Sequence, residues 1–304
     1  MVGRAEKLQQ RFAGTAEADL ASVRPRRRHV AARRLWRDKV GTAGGVVFVL
    51  IVLAAVAAPV VAPTDPDAIS LSDRFAPVGS DGYPLGADAF GRDLLSRIIW
   101  GGRASLAVGL SATLIAMSIG VLIGSVSGYM GGTADTVIMR VTDVLLAFPY
   151  ILLAIVIVGT LGPGLFNAML AVAISGIPFY IRLMRGMVVS LRQQQYVEAA
   201  TAIGATHAAI LRRAILPSIM PYIIVSFTIN VGWLILEAAG LSFLGLGAQP
   251  PTSEWGAMLS EARSYVTVAP HAAIVPGIGI FVVVISLNLF GDALRDALDV
   301  RLRD

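Results

Sequence analysis

The residues of this chain that could do chemistry are few and far apart. Its three histidines, His29, His207 and His271, lie in separate stretches and form neither a HExxH nor a HxxxH pair, so no two imidazoles are set on one helix face for a metal. Cysteine is absent, which removes thiolate ligands, thiol nucleophiles and disulfides together. The two lysines, Lys7 and Lys39, stand outside any GxxxxGK[ST] loop, the arrangement whose backbone amides and lysine cradle a nucleotide's phosphates. No pair of carboxylates on one helix suggests acid and base roles. What remains is a charged and small-residue pattern, Glu198-Ala199-Ala200, in a hydrophilic stretch, and two carboxylates, Asp143 and Glu237, inside long apolar runs. Those types suit docking and passage rather than bond making. If ATP drives this chain, another chain must hydrolyse it, and no cofactor is expected in this one.

The elements that must position these residues follow from composition. Of 304 residues 56% are hydrophobic and 15% charged, with mean hydropathy +0.72, which marks a membrane protein. A helix needs about 20 apolar residues to cross the hydrocarbon. Six uncharged runs approach that length, at 43–62, 104–128, 141–160, 164–181, 218–240 and 271–291. The first resembles a signal peptide at AAVAAPVVA, but a long basic tail precedes it, so it reads as a retained anchor. Alternating the loops puts all but five of the 25 basic residues on one side, the exceptions being Arg74, Arg92, Arg97, Arg103 and Arg263. That excess predicts both termini in the cytoplasm. The expected organisation is a basic tail (1–40), a first span with an extracytoplasmic loop (41–103), and a core (104–304) with a cytoplasmic loop at 182–217. The tail segment RPRRRHVAARRLWRDK at 24–39 suits membrane lipids through orientation and headgroup attraction, or a regulatory contact. Because it abuts a span, nucleic acid is not its expected partner.

The stretch Ser190–Pro221 reads as two short helices and a turn. Ser190 with Gln193 fits a capping box, Gly204 suits a left-handed position, Thr206 caps the second helix, and Pro217 and Pro221 mark the start of the next span. On the first helix Tyr196, Ala199, Ala200 and Ile203 share a narrow apolar face, with Glu198 beside it. The same segment is also compatible with a helix lying in the headgroups.

Glu198-Ala199-Ala200, Gly204 and Ile215-Leu216-Pro217 together resemble the EAA loop of ABC importer permeases. The resemblance implies that Tyr196, Glu198, Ala199, Ala200, Ile203 and Gly204 dock on an ATPase subunit. YPLGADAFGRDLLSRIIWGGRASLAVG at 83–109, LSFLGLGAQPPTSEWGAML at 241–259 and GDALRDALD at 291–299 are similar to the dipeptide/oligopeptide/nickel family, C-type subunit. Ala87 and Val300 stand where that family usually has threonine and proline. The fold implied is all-α, with six transmembrane helices of the type I importer permease. The partners implied are a homologous second permease subunit, two ATPase subunits and an extracytoplasmic substrate-binding protein. Dipeptides, longer peptides, glutathione and nickel complexes are all carried by this branch. Arginine preference and high alanine suggest a GC-rich bacterium, hence the cell membrane of such an organism.

The apolar stripe Leu94, Leu95, Ile98, Ile99 and Trp100 beside Arg92, Asp93, Arg97 and Arg103 reads as a helix lying on the outer leaflet. The loop at 245–256, with Gly245, Gly247, Pro250, Pro251 and Trp255, cannot continue a regular helix and is a candidate mouth facing the binding protein. Glu237 is a candidate pathway residue, with a buried structural hydrogen bond the alternative. Asp143 lies three residues after Arg140, so a local pair is expected, with pathway lining the alternative. Pro149 and Pro178 are expected to kink their spans. A secondary transporter or channel would call for a chain of intramembrane charges or matched broken helices, and neither is evident.

Overall fold

The computed structural model describes residues 34–298, and among them the chain is helices joined by loops and turns, with β pairing confined to the isolated bridges Ser80–Tyr83 and Ala87–Asp93. The basic tail before residue 34 and the terminal Arg301 and Arg303 lie outside the described residues. Helix α1 is Lys39–Val56, α2 Leu94–Met130, α3 Gly132–Leu146, α4 Tyr150–Leu161, α5 Leu165–Arg192, α6 Gln195–Ala202, α7 His207–Phe243, α8 Trp255–Ala262 and α9 His271–Leu298. Helices α1, α2, α5, α7 and α9 are each long and apolar enough to cross a membrane, and α3 with α4 make a sixth crossing when taken as one bent span.

Local chemistry explains the ends. Asp38 caps α1, accepting from the amides of Val40 and Gly41 at 3.0 and 3.1 Å. Asp93 caps α2, accepting from Leu95 and Ser96 at 3.2 and 2.9 Å, and Gly131 ends that helix at φ +66°. The 37-residue α2 is about 55 Å long at 1.5 Å per residue. It starts at Leu94, so the helix expected on the outer leaflet is not a separate element but the first turns of this long helix. The division at residue 103 therefore falls inside a helix.

The 141–160 run does not form one straight helix. Helices α3 and α4 meet at 92°, separated by Ala147, Phe148 and Pro149. Pro149 cannot donate a helical hydrogen bond and disfavours α geometry at Phe148, so the expected kink becomes a break. Pro178, by contrast, stays inside a continuous α5.

Apolar burial gives no helix association in lipid, so close packing must hold the spans. On α2, Gly120, Gly124 and Gly128 recur every four residues where α5 crosses. A Cβ on Gly124 would lie 2.5 Å from the Ile181 carbonyl oxygen, and one on Gly128 would lie 2.8 Å from that of Arg185. Three apolar clusters stack along the bundle. The outer one is built around Leu94, Trp255 and Leu287, the middle one around Ala112, Val172 and Leu234, and the cytoplasmic one around Tyr129, Met184 and Ile215.

Candidate functional site

The cytoplasmic loop is shorter than 182–217, because α5 runs on to Arg192 and α7 begins at His207. Ser190 therefore sits inside α5 and caps nothing. Gln194 is the residue at the N-cap of α6, and no side chain caps that end. Gly204 has φ +80°, as its expected left-handed role requires. The Thr206 hydroxyl accepts from the Ala209 amide at 3.3 Å and starts α7. No new helix begins at Pro217. A π turn over Leu211–Ile215 joins the first turn of α7 to the rest, and its wider spacing accommodates a proline that cannot donate.

Helix α6 is anchored by Val197, which is buried in the cytoplasmic cluster, with Ala200 half-buried beside it. Tyr196, Ala199 and Ile203 point outward, Ile203 being 85% exposed. The four-residue face read from the sequence thus divides, Ala200 turning to the protein and the other three to solvent. Glu198 is also separated from that face. It lines a cavity of about 680 Å³ with Tyr129, Arg192, Val197, Thr201 and His207. Across this cavity the Tyr129 hydroxyl lies 3.2 Å from His207 Nδ1, joining the end of α2 to the start of α7.

Asp143 pairs with Arg182 of α5, not with Arg140 as the spacing suggested. A second pair, Arg185 to Asp135 at 2.7 Å, is supported by the Ser127 hydroxyl donating to Asp135 at 2.6 Å. Both pairs tie α3 to α5, so Asp143 serves as a strut in this arrangement. Glu237 is half-buried on α7.

At the outer end the sequence reasoning missed a buried ion cluster. Arg92 Nε donates to Asp88 at 2.6 Å, and its Nη2 donates to Glu261 at 2.5 Å. Arg97 Nη1 donates to the same two carboxylates at 2.5 and 2.9 Å. These groups bind the 62–93 loop and α2 to α8. Glu254, also buried, accepts from Ser105 Oγ at 2.8 Å and caps α8 through the amides of Gly256 and Ala257. Asp73 in the same loop is held below the usual carboxylate range mainly by the Ser70 hydroxyl, which donates at 2.5 Å. Tyr83 is pushed up by desolvation first and then by its hydrogen bond to Asp73. Of the five residues expected on the outer mouth, Gly245, Pro250 and Pro251 are exposed. Trp255 is not: it is 2% exposed and donates from Nε1 to the Ile98 carbonyl at 2.9 Å. Gly247 is buried against Ser242, where a side chain has no room.

Residues 120–304 match the family model described as binding-protein-dependent transport system inner membrane component. The chain belongs to that family. Residues 27–77 match a second model, the N-terminal TM domain of oligopeptide transport permease C, in keeping with a C-type subunit. The chain is 47% identical over 271 residues to the glutathione transport system permease protein GsiD of Pectobacterium atrosepticum, covering 89% of this chain and 90% of that one. It is 45% identical over 275 residues to GsiD of Escherichia coli, covering 90% and 91%. In fold it resembles a chain of the MetNI methionine ABC transporter solved in inward facing conformations, with TM-score 0.55 and 19% identity over 66% of this chain and 96% of that one. The all-α permease fold and a bacterial inner-membrane location follow for this member of the family.

Proposed function

We propose that this permease forms half of the route of an ATP-driven importer for small peptides, glutathione among them, and that α6 is its docking element for a cytoplasmic ATPase subunit. The observation that carries the docking assignment is the split of α6. Val197 and Ala200 hold it to the bundle, while Tyr196, Ala199 and Ile203 present an apolar face with nothing over it among the described residues. An apolar face on a helix between two cytoplasmic helix ends calls for a partner, and the small Ala199 allows a close one. Gly204 sets the angle at which the face is offered. Glu198, open to the cavity beside Arg192, is available to a cation from the same partner. The full assembly comprises a homologous second permease, two ATPase subunits that hold ATP and Mg, and an extracytoplasmic binding protein. Glutathione is favoured over larger cargo by the identity to the two GsiD relatives along nearly their whole length.

Replacing Ala199 with tryptophan should strip the ATPase subunits from the purified permease and abolish uptake of labelled glutathione and dipeptides, with normal insertion. Ala200→Trp is a poorer probe because that side chain packs inward. Full retention of the ATPase subunits with normal uptake would refute the docking assignment, since a helix lying in the headgroups tolerates tryptophan.

A further inference from the structure

Helix α7 carries a polar stripe that, apart from local bonds such as Ser218 Oγ donating to the Ala214 carbonyl at 2.8 Å, has few partners among the described residues. Ser218, Tyr222, Ser226 and Asn230 follow one another at four-residue steps, and Trp233 and Glu237 continue the line. At 3.6 residues per turn these six fall within a sector of about 120°. None of them is buried. The other polar side chains between Ser218 and Phe243 are buried and turned elsewhere: Thr228 donates to the Ile224 carbonyl at 3.0 Å, and Ser242 Oγ accepts from the Ala248 amide at 3.2 Å. Polar groups are thus sorted by face along a span. Against lipid the Glu237 carboxylate and the Asn230 amide are costly, so the stripe is better placed against protein or water.

The space in front of it answers which. Ser218, Tyr222, Ser226 and Asn230 line one wall of a cavity of about 570 Å³, with apolar side chains of α5 opposite and Arg295 of α9 on its border. Asn230 Nδ2 donates to the Ser226 carbonyl at 2.8 Å, and its Oδ1 has no partner among the described residues. At the lower end the Tyr196 hydroxyl of α6 stands 3.5 Å from Ser218 Oγ, so the foot of the stripe touches the docking helix.

We propose that the stripe from Ser218 to Glu237 is this chain's wall of the water-filled route, and that it holds a passing peptide by its backbone amides and free ammonium rather than by its side chains. An amide and hydroxyls that both donate and accept match a peptide backbone of any sequence. Glu237, the stripe's only formal charge, stands about 28 Å up the helix from Ser218 and suits an ammonium at the outer end, while Arg295, bordering the cavity, suits a carboxylate at the inner end, so a short peptide meets the two in succession and not at once. This assignment rests on the importer reading and adds to it the chemistry by which substrate is held.

The chain has no cysteine, so single cysteines report cleanly. Ser226→Cys, which changes one atom, and Asn230→Cys are compared with Ile224→Cys, exposed on another face of α7. Each is assembled with the second permease, ATPase subunits and binding protein in liposomes and treated with a charged, membrane-impermeant methanethiosulfonate. Positions 226 and 230 should react at least tenfold faster than 224, and alanyl-alanine supplied during turnover should slow them. Asn230→Leu should raise the KM for alanyl-alanine and for trialanine alike by about tenfold, the equivalent of one lost hydrogen bond. Unreactive cysteines in an importer that still takes up alanyl-alanine would overturn the stripe as the route and leave the importer reading standing; sealing of this face by the second permease gives that result. Reactive cysteines in an assembly that takes up neither alanyl-alanine nor glutathione would overturn the peptide assignment together with the importer substrate.

Discussion

Removing Arg97 should be among the most damaging single changes in the chain, although it lies far from α6. Its side chain is 1% exposed and shares Asp88 and Glu261 with Arg92, so the four groups sum to zero charge. Arg97→Met keeps most of the stem's volume and deletes the charge. The cluster is left with one uncompensated buried negative charge, for which a cost of about 3–5 kcal/mol applies. A loss of 3 kcal/mol lowers the folded fraction's equilibrium constant on the order of a hundredfold. Glu261→Gln in the same chain restores neutrality and leaves the Asp88–Arg92 pair intact, so the double variant should be more stable than Arg97→Met alone. Unfolding of wild type, both single variants and the double variant by sodium dodecyl sulfate titration in mixed micelles measures the cycle. Arg97→Met costing under about 1 kcal/mol, or a double variant equal to the sum of the singles, would refute the reasoning. The first result would mean the cluster is hydrated; the second would mean its members do not interact.

Other outcomes follow from single contacts. A cysteine at position 199 should be labelled from the cytoplasmic side only, and labelling from outside intact cells would reverse the topology. Gly204→Ala should cost about 1 kcal/mol at φ +80° and lower substrate-stimulated ATP hydrolysis without lowering insertion, as measured in the reconstituted importer. Gly124→Ile should separate α2 from α5, because even a Cβ there comes within 2.5 Å of the Ile181 carbonyl, and loss of folded permease by size-exclusion profile would register it. Arg213→Gly with Ala214→Gly should reduce peptide moved per ATP hydrolysed while ATPase retention persists.

Much of this architecture is legible in the sequence because the solvent imposes it. Uncharged runs of span length mark the crossings, and the arginine distribution predicts the sides. Gly204 and Thr206 are readable because left-handed backbone and helix capping are local demands. What escapes is tertiary. Arg92 and Arg97 look interfacial because Glu261, which neutralises both, lies on α8, more than 160 residues further along the chain. Asp143 finds Arg182 on α5 rather than its neighbour Arg140, since the ends of α3 and α5 are brought together by packing that no spacing within α3 encodes. Hydropathy alone cannot separate a kink from the 92° break at Ala147–Pro149, because both halves remain apolar. The repeat of Gly120, Gly124 and Gly128 carried a readable signal for the α2–α5 crossing. Trp255 shows the opposite case: a large aromatic in a Gly- and Pro-rich loop suggests a partner-facing surface, yet its indole N–H is satisfied by Ile98 and its ring fills the outer cluster.

The continuity of α7 bears on how ATP-driven movement would reach the route. Two short helices with a fresh start at Pro217 would place a hinge between the docking site and the membrane, and displacement at α6 would be absorbed there. Instead the helix capped by Thr206 runs through the π turn into the polar stripe, so under the proposed docking a rotation of its first turn would pass along one continuous helix toward Asn230. The π turn is the one place where the ladder changes register, and it lies between the docking helix and Ser218, which is why paired glycines at 213 and 214 test the transmission and not the docking. The remaining link is lateral. Tyr129 on α2 meets His207 on α7, while α2 is locked by its glycines to α5 and α5 is strapped to α3 by Arg182 and Arg185. Helices α2, α3 and α5 are thereby tied together, and α7, which also packs on them through Leu234 and Ile235, forms the facing wall of the cavity between Phe179 and Asn230, so under the proposed coupling a tilt of α7 would change its width.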